Sequence, residues 1–304
     1  MTDAAVVAVV GSANLDIVVP VPHHPARGET VLGGDHLLVP GGKGANQAVA
    51  ASRLGADVVF VGAVGADSSG ETLTLSLTDA GVGTEHLHTI AETPSGIALI
   101  TVDADGDNAI VVSPGANGHL NPIHVARAGT VIGAANVLLL QLETPLDTVL
   151  TAATSGAACV VLDPAPAPSS PLPEELLRAV DVIVPNETEL AALTDRTVVP
   201  TTLEEIEEVA RTLPVPIVIV TLGARGAMII TDETAEHVPA PSVDAIDTTA
   251  AGDAFRAALG VEMAIGRPLI DAVRFAVRVG AATTRRPGAQ PSLPARDEVE
   301  GLLS

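Results

Sequence analysis

Short aliphatic runs punctuated by glycine and proline dominate this chain, and most have strand rather than helix length. Residues 4–10 form the first run and stop at Gly11; residues 58–64 form another. From residue 136 onward, runs at 137–141, 159–162, 182–184 and 217–221 recur. Between them lie stretches with helical spacing, such as 146–155 and 203–213. Unbroken apolar strands, unlike alternating ones, belong to sheets covered on both faces. The rhythm therefore predicts an α/β protein with a mainly parallel central sheet and helices on both sides. Residues 17–21 and 30–39 are β-rich but set apart by Pro and Gly. Residues 96–112 carry a hairpin pattern, with Asp103-Ala104-Asp105-Gly106-Asp107 as its turn. These segments predict a small second sheet outside the core. With no repeat or low-complexity linker, the expectation is one domain over residues 1–304, bearing a β appendage from residues 14–40 and 96–113.

Composition narrows the partners. Hydrophobic residues make up 47% of the chain, enough for a large core, and the formal net charge is −22. That charge opposes nonspecific nucleic-acid binding and attraction to anionic membranes. The absence of Trp and Tyr removes the usual stacking platforms for bases. Cys159 is the one cysteine and allows no internal disulfide, so a buried small hydrophobe is expected there. Without a basic flank before the first apolar run, or a membrane-length apolar segment, a cytoplasmic protein is expected.

Against this acidic background Lys43 is the only lysine in the chain. It sits in Gly41-Gly42-Lys43-Gly44-Ala45-Asn46, a glycine turn running into a helix expected over residues 46–54. Glycine lets backbone approach a ligand, and a helix start offers unpaired N–H groups. The Lys43-Gly44 pair lacks the Ser or Thr that a P-loop requires next. A second segment, Asp247-Thr248-Thr249-Ala250-Ala251-Gly252-Asp253, leads into a helix expected over residues 254–265. The N–H groups of Ala250, Ala251, Gly252 and Asp253 would converge there as an anion hole, with a carboxylate able to accept a hydroxyl proton. The competing reading is that Asp253 only caps the helix.

Together with these two segments, Gly11-Ser12-Ala13-Asn14-Leu15-Asp16, Gln141-Leu142-Glu143, Asp163-Pro164-Ala165-Pro166, Pro185-Asn186-Glu187-Thr188-Glu189, Thr221-Leu222-Gly223-Ala224-Arg225-Gly226 and Gly288-Ala289-Gln290-Pro291-Ser292 run in the order found in the ribokinase family. The chain thus resembles the PfkB-type carbohydrate kinases over essentially its whole length. The resemblance implies a ribokinase-like α/β fold whose small sheet is a lid over the sugar and a homodimer contact. It implies ATP-dependent phosphorylation of D-ribose at the 5-hydroxyl, with Asp253 as base. Deoxyribose, a ketohexose or a nucleoside are alternative substrates, and a non-catalytic sugar-binding protein is the alternative class.

Residue roles follow from the same resemblance. Asn14, Asp16, Gly42, Lys43, Gly44, Asn46, Glu143 and Asp253 would contact the sugar. Taken alone, Asp16 is equally a turn residue and Glu143 a solvated strand end. Asn186, Thr221, Gly223, Arg225, Gly226, Gly252 and Val277 would serve ATP, though a plain hairpin turn competes for residues 221–226. Glu189 would hold Mg2+ through water, as magnesium keeps much of its hydration; Asn186 and Glu189 also fit a capping box. Asp247, Thr249, Thr283, Arg286, Gly288 and Ser292 would surround K+. Departures from the family pattern lie at Val277, Arg278, Arg256 and Arg285. His86 and His88 share a strand face but lack further ligands for a metal.

Overall fold

The computed structural model describes residues 5–302. Ala4, the first residue of the opening apolar run, lies outside them. A nine-stranded sheet has the spatial order Ala235–Val238, Ala227–Thr231, Ile217–Thr221, Val182–Ile183, Val160–Leu162, Val137–Leu140, Val6–Val10, Asp57–Gly65, Gly83–Ile90. All neighbours pair in parallel except the last two hairpin-linked strands at the Ala235–Val238 edge, which are antiparallel. Residues of one strand divide between two cores. Val7, Val9 and Leu139 pack with the helices Lys43–Arg53, Ala251–Ala264 and Leu269–Thr283, while Ala8, Val10, Leu138 and Leu140 face the opposite layer. Burial on both faces is why these runs are continuously apolar.

The first strand, Val6–Val10, lies between Val137–Leu140 and Asp57–Gly65, so the chain order reverses direction there. Carboxyl ends of parallel strands open a crevice at such a point. Residues 11–16, 141–143, 163 and 186 all follow strand ends on this rim.

The second sheet has the order Leu37–Gly41, Asn14–Pro20, Gly96–Val102, Asn108–Ser113. The hairpin at residues 96–112 forms around the expected acidic turn, where Asp105 and Asp107 N–H groups donate to Asp103 Oδ1. The strand expected over residues 30–39 is shorter, Leu37–Gly41. Gly33 packs closely on Val19, and Gly34 N–H donates to Pro20 O at 2.9 Å, so backbone bonding there is loop-like rather than a ladder. Register sorts the two faces of this sheet. Leu38, Ile17, Leu99 and Val111 are directly paired across all four strands and so share a face. Asp16, on the other face, is 8% exposed and turns toward the crevice. Cys159 is half-buried, and burial followed by the charge of Asp181 pushes its thiol up to about 11. Among the described residues no helix is long and apolar enough to cross a membrane.

Candidate active site

The helix expected from Asn46 begins earlier, at Lys43. Gly42 precedes it with φ +89°, and a Cβ there would meet Asn14 N at 2.6 Å, so only glycine brings the helix start this close to the exit of the first strand. Glu143 joins the two segments. Its Oε2 accepts from Lys43 N–H at 3.1 Å and from the Ser12 hydroxyl. Asn14 Oδ1 accepts from Asn117 Nδ2 at 2.7 Å, and Asn117 Oδ1 accepts from Ala13 N–H at 2.9 Å. The small-sheet strand therefore leaves the core with its polar side chains already oriented.

Carboxylates crowd this cradle. Burial, then Glu143 and Asp253, pushes the Asp16 carboxyl up to about 7. Burial works against the Lys43 charge, but Asp253, Asp163 and Glu143 outweigh it and raise the ammonium pKa. The lone lysine is thus the fixed cation of the cradle.

Asp253 does not cap its helix. The helix runs Ala251–Ala264, preceded by Ala250 in the left-handed region at φ 59° with no side-chain cap. Asp253 therefore sits within the first turn, 6% exposed, with its side chain directed to the lysine helix. Its Oδ2 accepts from Asn46 Nδ2 at 2.9 Å and its Oδ1 from Gln47 Nε2 at 3.3 Å. Gln47 Nε2 also donates to Asp163 Oδ2 at 3.0 Å, and Gln47 Oε1 accepts from Gln141 Nε2 at 2.7 Å. Burial, offset in part by Arg256 and Lys43, pushes Asp163 up to about 7. Of the expected anion-hole amides, Ala251 N–H is committed to Thr248 O at 3.2 Å. Those of Ala250, Gly252 and Asp253 have no acceptor among the described residues, which leaves them for an anion.

A cleft of 570 Å³ adjoins this helix start, walled by Ala251, Gly252, Phe255 and Val277 on one side and by Asn186, Thr221, Gly223 and Gly226 on the other. Residues 221–226 form a short turn between antiparallel strands, and Thr221, Gly223 and Gly226 also wall the cleft. Arg225 departs from its expected role. Its guanidinium pairs with Glu187 and donates to Thr201 O at 2.8 Å rather than lining the cleft. Asn186 and Glu189 form the capping box, each side chain bonding the other's N–H at 2.8 Å. Glu189 Oε1 accepts no hydrogen bond among the described residues, so an oxygen remains for a hydrated cation.

The expected potassium positions come together in part. Asp247 Oδ1 accepts from Thr249 N–H and its hydroxyl, at 2.8 and 2.6 Å, and Oδ2 accepts from Gly288 N–H at 2.7 Å. Thr284, next to the expected Thr283, supplies the carbonyl that accepts from Asp247 N–H. Thr283 gives its hydroxyl to Val279 O, Ser292 gives its own to Ala289 O, and the Arg286 guanidinium pairs with Glu298. A cation held here would rely chiefly on backbone carbonyls.

The family model for pfkB family carbohydrate kinases matches residues 4–296. The chain belongs to the pfkB carbohydrate kinase family. The kinase is 38% identical to ribokinase of Haemophilus influenzae, over 97% of each chain. A solved ribokinase from Thermotoga maritima superposes with a TM-score of 0.89 at 36% identity, covering 98% of this chain and 99% of that one. Ribokinase from Arabidopsis thaliana, solved with ribose and ATP, gives 0.89 at 33% identity, covering 99% of each chain. The ribokinase-like fold expected from the motifs is the fold observed.

Three groups in the kinase site have no role in the sequence-level expectations: Gln47, Asp163 and Arg256. A signal existed for Asp163, a carboxylate directly after an apolar strand, and for Gln47, beside Asn46 in the otherwise small and apolar stretch 44–51. Arg256 is an arginine inside an apolar helical stretch.

Proposed function

We propose that this kinase transfers the γ-phosphoryl group of ATP to the 5-hydroxyl of D-ribose, giving D-ribose 5-phosphate and ADP, with Asp253 as the base. One observation carries the reading. Asp253 bonds Asn46 on the cradle side and shares a helix turn with Gly252, which walls the cleft. Asn14, Asp16, Lys43 and Glu143 offer donors and acceptors to the sugar hydroxyls, with the small sheet as lid. The amides of Asn46 and Gln47 hold the Asp253 carboxylate in place, so it takes the hydroxyl proton without reorganising. As the sugar oxygen bonds to phosphorus and the bond to the ADP oxygen breaks, charge on the phosphoryl oxygens meets the Gly252 and Asp253 N–H groups. The ribose and ATP bound by the Arabidopsis relative support both halves of the site.

Asn186 and Glu189 would hold Mg2+ through water, and the ion would neutralise phosphate charge when bound. Potassium near Asp247, Thr249 and Gly288 would shape the loop before the anion hole. ATP as phosphoryl donor fits a cytoplasmic setting. The shared apolar face of Leu38, Ile17, Leu99 and Val111 supports a homodimer through the lid.

The test is ADP release by purified protein with Mg-ATP and ribose, deoxyribose, fructose or adenosine, with and without potassium. Turnover confined to ribose and raised by potassium supports the reading. Turnover confined to another of these substrates reassigns the pocket. Ribose binding without turnover on any of them replaces the kinase with a sugar-binding protein.

A further inference from the structure

We propose that Arg256 is a positioning residue that joins the sugar side of the site to its metal side. Its side chain is buried, one helical turn beyond Gly252. NH2 lies 2.9 Å from Asp163 Oδ1 and 3.5 Å from Glu189 Oε2. Nε and NH2 also both donate to Val184 O, at 3.2 and 2.7 Å. One guanidinium therefore touches the end of a central strand, the Asn186–Glu189 turn and Asp163. Asp163 in turn shares Gln47 Nε2 with Asp253. The path from Glu189 through Arg256, Asp163 and Gln47 to the base has no gap.

Gly252 is part of the same device. A Cβ at this position would meet Arg256 NH1 at 2.6 Å, so the anion-hole glycine also makes room for the guanidinium. The three contacts converge on NH2, and Nε adds a second bond to Val184 O; a lysine ammonium ends one bond short of NH2 and has no Nε donor.

Charge balance gives Arg256 its consequence. Lys43 serves Asp253, Asp163 and Glu143, while Arg256 is the cation in direct contact with Asp163 and Glu189. The charged groups facing Asp163 are Arg256, Lys43, Asp253 and Glu189, two of each sign. Removing Arg256 leaves two like charges against one ammonium, so buried Asp163 holds its proton to higher pH. Glu189 Oε2 keeps its bond from Asn186 N–H but loses the Arg256 contact at 3.5 Å, and with it part of what aims its free oxygen. Partners of this outer kind, when lost, typically cost 10–100-fold in metal affinity.

The inference rests on the kinase reading, and the experiment separates the two. Wild-type protein inactive on every sugar defeats that reading; an active wild type whose Arg256→Met twin behaves identically defeats this one alone. In Arg256→Met the magnesium concentration for half-maximal rate should rise about tenfold or more, and the acid limb of kcat/KM should move to higher pH. Carbon NMR of aspartate carboxyls in nucleotide-free, metal-free protein should show the Asp163 midpoint moving up. Arg256→Lys, which keeps charge but not the fork, should restore the Asp163 midpoint and leave the magnesium requirement raised. A folded Arg256→Met that binds ribose normally and keeps the wild-type limb, midpoint and magnesium requirement overturns the proposal. If Arg256→Met does not fold, Arg256→Lys decides: an unchanged magnesium requirement overturns the proposal.

Discussion

Asn46 donates its side-chain amide to Asp253 Oδ2 at 2.9 Å, across 207 positions of sequence. A helix that starts at the lysine turn thus holds the carboxylate supplied by a helix near the other end of the chain. Gln47 holds the second oxygen, so both oxygens are fixed by amides, and each keeps a lone pair for a substrate hydroxyl. Under the proposed mechanism, a carboxylate restrained this way would be ready for a hydroxyl before the sugar arrives.

Asp253→Asn tests that claim with little change of shape. An asparagine can still accept from Asn46 and Gln47, so the cradle should persist while the proton acceptor is lost. ADP release should fall by about 10²–10⁴-fold, the usual worth of general base catalysis. Calorimetry should show ribose still bound. Turnover within a few-fold of wild type would remove Asp253 as the base.

The raised pKa of Asp16 makes a pH prediction whose sign is fixed. The folded group titrates at about 7, against 3.8 in the unfolded chain, so between those values the native state binds more protons. Stability of the sugar-free protein from this group therefore falls as pH rises through that window. Asp163 contributes in the same direction. Comparing Asp16→Asn with wild type isolates Asp16: the variant should gain melting temperature relative to wild type as pH rises from about 5 to 8. Sugar hydroxyls that donate to Asp16 favour its ionised form, so ribose affinity in wild type should strengthen over the same range. A flat difference between the two melting curves would contradict the burial argument.

The parallel core was legible because burial on both faces leaves an unbroken apolar run, as at Val6–Val10 and Val137–Leu140. Helix starts were harder. Both site helices begin three residues before the first residue expected, because positive φ at Gly42 and Ala250 lets the backbone enter a helix among small residues that carry no periodic signal. The motifs singled out the two segments that the fold brings together, since Lys43 and Asp253 stand out chemically in them. They did not reveal that Gln47 links Asp163 to Asp253, because that contact joins three distant stretches of chain. Arg225 shows the reverse: a charge beside a glycine turn looked available, yet Glu187 of the neighbouring helix neutralises it.

Gly42→Ala should lower sugar affinity more than it lowers stability. Alanine at φ +89° and ψ 134° is strained, at a cost of roughly 1–3 kcal/mol for an L-residue in such a sparsely populated region. Its Cβ would also press on Asn14 N, the start of the small-sheet strand that carries Asn14 and Asp16. Displacing that strand would move both proposed sugar contacts at once. The expected result is a raised KM for ribose with an unchanged KM for ATP, whose proposed cleft lies on the other side of the Ala251–Ala264 helix start. Equal changes in both would place the damage in the fold as a whole.

The small sheet carries the last prediction. Leu38, Leu99 and Val111 are 55%, 47% and 66% exposed, and Ile17 lies between Leu38 and Leu99 in the same row. A row of aliphatic side chains across a whole sheet face is larger than the scattered apolar residues normal on a monomer surface. The opposite face carries Asp16 and turns to the crevice, so covering the outer face with a second small sheet would leave the proposed site untouched. Sedimentation of wild type at micromolar concentration should give a dimer of the 30.5 kDa chain. Leu99→Glu places a charge in the middle of the row and should give a monomer with cooperative unfolding retained. A wild type that sediments as a monomer at these concentrations would leave the outer face without a second small sheet, and the homodimer would have to be abandoned.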